Sequence, residues 1–202
     1  MIKAVTTGPL EENCYLVQLE PEGRLFVIDP GDSPADILSA AAGLKFSEAE
    51  ILFTHGHFDH IGAAAVIAQK LGVKHCYLNP ADRELFFSPD NCFPPYIPAP
   101  EALPPPETVD DNIDFNEPVV IKTPGHTPGG VSFYFPTLAA LFSGDTLFAS
   151  SIGRTDFPGG SLPDLLNSIK SGLFALPPRT KVFPGHGSAT SIDREKRINP
   201  YI

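Results

Sequence analysis

Five of the six histidines of this chain fall in three short knots, each beside an apolar run. The first knot reads Thr54-His55-Gly56-His57-Phe58-Asp59-His60, the second Pro124-Gly125-His126-Thr127-Pro128-Gly129-Gly130, and the third Phe183-Pro184-Gly185-His186-Gly187. Ser143-Gly144-Asp145-Thr146 lies between the second and the third. Imidazole with carboxylate and no adjacent thiolate is the ligand set of an open, catalytic metal centre more than of a closed structural zinc site. The donors suffice for two ions, and metal-assisted hydrolysis is the chemistry they suggest.

The spacing assigns them. His55 and His57 are two apart, so in an extended segment both point the same way and reach one cation. Asp59 and His60 come where the chain turns into a helix, and face a second cation. The first site is then His55, His57 and His126, and the second Asp59, His60 and His186. Asp145, with two oxygens, bridges them. Ions roughly 3.5–4 Å apart would share a hydroxide as nucleophile, which Asp59 helps to orient. A lone His126 or His186 would be an ordinary polar residue; the four knots together carry the reading. His75 stands outside the pattern and has no assigned role. Cys14, Cys76 and Cys92 form no C-x-x-C pair and read as small packing residues of a reducing compartment.

Rigid elements must hold these loops. Asn13–Val17, Leu25–Ile28, Ile51–Phe53, Val119–Ile121, Val131–Phe135, Ala140–Phe142 and Lys181–Phe183 are short, β-branched or aromatic, and bounded by Gly, Pro or Asp, so they read as strands. His55, His126, Asp145 and His186 each follow one of them, which is how α/β sheets build sites at strand ends. Ile61, Ala64, Ala65, Ala68 and Leu71 have helical spacing, with Gly72 as the stop. Leu162, Leu165, Leu166, Ile169 and Leu173 form a second stripe, capped by Ser161 with Pro163 in the first turn. Asp36–Ala42 is a weaker helix. Strands mixed with helices predict an α/β layer fold. Phe86–Asp111 holds eight prolines and resists regular structure. It reads as a surface connector or as a wall of the substrate cleft, with Phe86, Phe87, Phe93 and Tyr96 to bury.

The chain has 202 residues, 42% of them hydrophobic, which suits one domain with a substantial core. A net charge of −10 and no Lys/Arg cluster argue against nucleic acid, whose binding rests on cationic contacts to phosphate. No apolar run approaches a membrane span, and the first residues lack a signal-peptide core, so a soluble, cytoplasmic protein acting on a small molecule is expected.

Thr-His-x-His-x-Asp-His, Pro-Gly-His-Thr-Pro-Gly, Gly-Asp-Thr-Leu-Phe and Pro-Gly-His-Gly together resemble the metallo-β-lactamase-fold superfamily. Within it the chain is similar to short bacterial glyoxalase II-like (hydroxyacylglutathione hydrolase-like) enzymes; Ile28-Asp29-Pro30-Gly31 and Asn13-Cys14-Tyr15 also fit. The resemblance covers almost the whole chain. It implies an αββα four-layer sandwich as a single domain over residues 1–202, and ligation by His55, His57, Asp59, His60, His126, Asp145 and His186. It implies two divalent ions, zinc first, with iron or manganese as alternatives. The implied reaction is hydrolysis of a thioester, S-lactoylglutathione or a related acylglutathione.

Two departures bear on substrate. Full-length glyoxalase II enzymes carry a helical C-terminal domain that grips glutathione, and with only residues 187–202 after His186 none is expected here. Where those enzymes have a Gly-Lys-Phe-Tyr-like stretch, this chain reads Ile152-Gly153-Arg154-Thr155-Asp156-Phe157-Pro158. Arg154 can replace the lysine as a carboxylate anchor, or can simply pair with Asp156. A persulfide dioxygenase is the alternative enzyme. Those relatives share Gly-Arg-Thr-Asp-Phe and hold one iron, here by His55, His126 and Asp145, but glutamine rather than Pro158 is expected after the phenylalanine. The missing secretory signal disfavours a β-lactamase, and acidity disfavours a nuclease. A non-catalytic metal-dependent binding or redox protein is the alternative of another class.

Overall fold

The computed structural model describes residues 1–95, 97–109 and 116–202. The chain divides into two compact units, residues 1–78 with 83–108, and residues 79–82 with 109–202.

In the first unit, β1 (Ile2–Thr7), β2 (Glu12–Gln18), β3 (Leu25–Ile28), β4 (Ala49–Leu52), β5 (His75–Leu78) and β6 (Glu107–Thr108) form one sheet in chain order. The β1–β2 and β2–β3 pairs are antiparallel, and β3 through β6 run parallel. β2, β3 and β4 are buried along their whole lengths, which is why β3 reads as a continuous apolar run instead of alternating. The helices α1 (Pro34–Ala41), α2 (Phe58–Ile61), α3 (Ala64–Leu71) and α4 (Arg83–Phe86) belong to this unit. Its core joins Leu16, Val27 and Ile51 of the sheet to Ile37 of α1 and to Ile61 and Ile67. Cys14 and Cys76 lie in that core, as packing residues. Burial raises the Cys14 thiol well above its usual range and the Cys76 thiol to about 12, so neither is a ready nucleophile.

In the second unit the order is β13 (Thr190–Ser191), β12 (Lys181–Pro184), β9 (Ala140–Gly144), β8 (Val131–Phe135) and β7 (Val119–Lys122). Only β12–β9 is parallel among the pairs of this sheet. β10 (Leu147–Phe148) and β11 (Ser151–Ile152) form a small hairpin. α5 (Leu162–Asn167) and α6 (Ile192–Ile198) complete the unit, whose core includes Leu141, Leu165, Ile169, Leu173, Val182 and Ile192.

The expected strands are present, with ends shifted by a residue or two; Phe53, expected in β4, lies just past it. Among the described residues β1, β5, β6, β10, β11, β13, α4 and α6 go beyond the sequence expectations. Two helices need correction. The single helix expected through Ile61–Leu71 is broken, because the Ala63 amide donates to Pro30 and Gly31 carbonyls (3.0 and 3.1 Å) instead of continuing the helical ladder. Gly72 does end α3, in the left-handed conformation at φ 64°. The second helix, capped by the Ser161 side chain with Pro163 in its first turn as expected, ends at Asn167 and continues as a π turn over Ser168–Gly172. Its stripe buries Leu165, Ile169 and Leu173 and leaves Leu162 exposed.

Among its described residues the proline-rich stretch is mostly irregular, as expected, with β6 and the end of α4 as its named elements. Phe86 is buried, whereas Phe87 and Phe93 are exposed, so the stretch hides less aromatic surface than expected. Tyr96 and residues 110 and 111 lie outside the described residues. Among the described residues no helix is long and apolar enough to cross a membrane.

Candidate metal centre

The first unit brings His55, His57, Asp59 and His60 onto one short loop. His55 comes three residues after β4, and Asp59 and His60 lie in α2, directly after His57 at the helix start. The His55 and His57 rings are 4.8 Å apart, and those of His55 and His60 are 4.1 Å apart. Asp59 Oδ2 lies 3.9 Å from His60 Nε2. His55 and His60 are buried; His57 and Asp59 are half-buried.

A buried carboxylate beneath this loop fixes the orientation of its rings. Asp29, just after β3, accepts from the Thr54 amide (2.7 Å), the Thr54 hydroxyl (2.6 Å) and His60 Nδ1 (3.0 Å). A carboxylate only accepts, so His60 Nδ1 carries the proton and Nε2 the lone pair. The Thr54 hydroxyl gives its proton to Asp29, so its oxygen accepts from His55 Nδ1 at 3.1 Å, and His55 too presents its lone pair at Nε2. One carboxylate thereby sets two tautomers, the first directly and the second through a hydroxyl. Glu12, fully buried, adds an oxygen 3.8 Å from His60 Nδ1 and accepts from Thr7 at 2.7 Å. Burial pushes the Glu12 carboxyl well above the usual range, against the pull of His60. Asn91 clamps the loop from the proline-rich stretch: it accepts from the Phe58 amide (3.0 Å) and donates to the Gly56 carbonyl (2.8 Å).

The second unit brings His126, Asp145 and His186 together from three separate strand ends. β9 and β12 run side by side, with the Gly185 amide donating to the Gly144 carbonyl at 2.9 Å, which sets Asp145 beside His186. Asp145 Oδ2 lies 3.6 Å from His126 Nε2 and 3.7 Å from His186 Nε2. His126 Nδ1 bonds the Arg154 carbonyl at 2.8 Å, and a carbonyl only accepts, so Nε2 is again the lone-pair nitrogen. Buried Asp82 holds the His126 loop, accepting from the Thr127 hydroxyl (2.7 Å) and the Gly129 amide (2.6 Å). Gly153 is required by contact: a Cβ there would sit 1.8 Å from the Asp145 carbonyl oxygen.

Arg154 is exposed and forms a two-pronged ion pair with Asp156, both bonds 2.7 Å, while its guanidinium stacks on Phe157 at 3.9 Å. The pair lowers the Asp156 carboxyl to about 2, chiefly through its hydrogen bonds to Arg154. His75 pairs with Glu107 at 2.6 Å on the exposed face of the first sheet.

The donors present, five imidazoles, of which His55, His60 and His126 have fixed lone pairs, and carboxylate oxygens, suit zinc, iron or manganese. A sequence model of the metallo-beta-lactamase superfamily matches residues 7–186. The chain belongs to the metallo-β-lactamase superfamily. Its fold is the metallo-β-lactamase fold, an α/β architecture, and members of this superfamily are mostly metal-dependent hydrolases. It is 33% identical to hydroxyacylglutathione hydrolase GloC of Haemophilus influenzae, over all of this chain and 97% of that protein. Among solved structures it resembles TTHA1623 in a di-iron-bound form (TM-score 0.86, 39% identity, 99% of this chain and all of that one). It also resembles BLEG-1, a B3 metallo-β-lactamase (TM-score 0.88, 33% identity, all of this chain and 99% of that one).

Asp29 and Thr54 stand in the sequence motifs with no role assigned to them, although Asp29 is an acid directly after an apolar strand and Thr54 heads the first histidine knot. Asp82 and Asn91 carry no such signal, because their roles depend on hydrogen bonds to residues distant in sequence.

Proposed function

We propose that this chain is a dinuclear-metal thioester hydrolase, with an acylglutathione such as S-lactoylglutathione as substrate. In this reading His55, His57 and His126 would hold one ion, Asp59, His60 and His186 would hold the other, and Asp145 would offer its oxygens to both. The observation that carries it is the place of Asp145 Oδ2, within 3.7 Å of the ligand nitrogens of two histidines assigned to different ions. The likeness to GloC supports the thioester, and the likeness to a di-iron protein supports two ions. Residues 1–202 act as a single domain on a small molecule in the cytoplasm.

The bound ions supply Lewis acidity, which lowers the pKa of water and polarises the thioester carbonyl. The protein supplies orientation. Asp29 and the Arg154 carbonyl keep the ligand tautomers of His60 and His126. Asp59 binds and helps to align the attacking water. A thiolate leaves readily, since a thiol pKa near 8.5 makes it a stable anion, so no strong general acid is needed. Arg154 anchors a carboxylate of the thiol carrier with its Nη1 donors, which the Asp156 pair does not use.

The test is a turnover panel on purified protein, with and without a chelator. S-lactoylglutathione should release glutathione, and chelation should abolish the release. Oxygen uptake with glutathione persulfide and no thioester cleavage would overturn the reading in favour of a dioxygenase. A second reading, β-lactam hydrolysis, draws on the likeness to BLEG-1. A cephalosporin in the same panel decides it, and this account expects no turnover there.

A further inference from the structure

A cavity of about 290 Å³ lies within the first unit, and Asp59 is among the residues that line it. Four segments wall it: the β1–β2 turn, the stretch from the end of β3 to the start of α1, the corner of α2 and α3, and the strap Ile97–Glu101 from the proline-rich stretch. The strap is anchored, since Phe93 and Ile97 exchange backbone hydrogen bonds of 2.8 and 2.9 Å. Two of its lining residues, Gly31 and Gly62, allow close backbone packing there: a Cβ on Gly31 would come within 1.7 Å of the Asp59 carbonyl oxygen, and one on Gly62 within 2.5 Å of the Gly31 carbonyl oxygen.

The lining has a consistent chemistry. Leu10, Phe58, Val66 and Ile97 give it an apolar body. Its charged lining residues are all acids; Asp59 would be taken up by an ion, which leaves Asp32 and Glu101 to set the charge, with no lysine, arginine or histidine in the lining among the described residues. A carboxylate beside Asp32 and Glu101 would meet like charge, whereas an ammonium there would be attracted. The carboxylates of a glutathione-like carrier are therefore excluded from it, and the cation suited to them is Arg154. The cavity is left for the other arm of the thioester. A lactoyl group would leave most of that volume empty.

We propose that this cavity is the acyl subsite, and that it selects an acyl arm longer than lactoyl, apolar along its length and ending in an ammonium group, over the same arm ending in a carboxylate. This rests on the thioester reading for the word acyl, but the binding preference is independent of it. The proline-rich strap thus acts as a specificity element: it contributes both an apolar wall and the Glu101 charge.

The test separates the two claims. Pentylammonium, pentanol and pentanoate are titrated into the metal-loaded protein while backbone amide resonances are followed. Pentylammonium should bind tightest and pentanoate weakest, a spread of roughly three- to ten-fold per step, with shifts centred on Gly8, Val66 and Ala99. Glu101→Gln, at an exposed position, should shrink the spread, and Asp32→Asn should shrink it further. Ala99→Trp should fill the cavity and remove the shifts. Equal binding of pentanoate and pentylammonium, shifts elsewhere, or no binding of any probe would overturn the proposal. The matching glutathione thioesters are then assayed for hydrolysis. Cavity binding without cleavage of any thioester defeats the thioester reading and leaves the binding site standing. Cleavage indifferent to the acyl terminus and to Glu101→Gln defeats the subsite and leaves the thioester reading standing.

Discussion

The two units assemble their donors in opposite ways. In the first, four donors crowd into His55–His60, and side chains hold them: Asp29, Thr54 and Asn91. In the second, three donors come from three loops, and backbone largely holds them: the Arg154 carbonyl behind His126, the Gly144–Gly185 bond between Asp145 and His186, and the close approach at Gly153. The first arrangement depends on chemistry that one side-chain substitution can remove. The second depends on steric fit that one added methyl group can spoil. The same metal chemistry should therefore fail by different routes in the two units.

The largest effect is expected at Asp145, where both routes meet. Asp145→Ala removes the carboxylate between His126 and His186 and should abolish nearly all turnover along with the paired metal occupancy, read by activity and metal content. Full turnover in that variant would break the bridging assignment. Gly153→Ala comes next. Its Cβ must displace the Asp145 backbone, an overpacking worth about 1–3 kcal/mol of stability, and metal content should drop with the melting temperature. Asp29→Asn keeps the volume but lets the amide present a donor to His60, and should weaken metal binding about 10–100-fold with little change in fold. Thr54→Val should do less, because it disturbs only the indirect link to His55 and leaves the Asp29–His60 bond. If Thr54→Val costs more than Asp29→Asn, the relay runs differently from the one described.

Much of this contrast was legible in the sequence, and the physical reason is periodicity. A donor cluster such as His55-x-His57-x-Asp59-His60 is local, so spacing alone places it. The isolated His126, Asp145 and His186 became legible only because each follows an apolar run. Asp82 and Asn91 were not legible, since their partners lie 45 to 47 and 33 to 35 residues away in sequence. The break after α2 was hidden for a like reason: the Ala63 amide leaves the helix for carbonyls at 30 and 31, and helical spacing of the side chains does not register that.

The smallest expected effect on turnover lies away from the metal centre, in the part of the second unit held by side chains. Burial of Glu195 would raise its carboxyl, but bonds from Thr190, the Ser150 amide, Arg194 and Asn199 outweigh it and hold the carboxyl below its ordinary 4.5. A carboxyl lowered on folding stabilises the protein above about pH 4.5, and that contribution is lost as pH falls through the lower folded value. Glu195→Gln should reduce stability at pH 7 by about 1–3 kcal/mol and flatten the acid limb of the melting curve, with thioester turnover retained. An unchanged acid limb would show that the Glu195 cluster is not what secures α6 to the turn at Ser150.

The central claim is that seven donors, four on one loop and three on strand ends, serve two ions. It is tested most directly by the number of metal equivalents per chain in the purified, active protein. This account predicts two. A fully active protein with a single equivalent would contradict it.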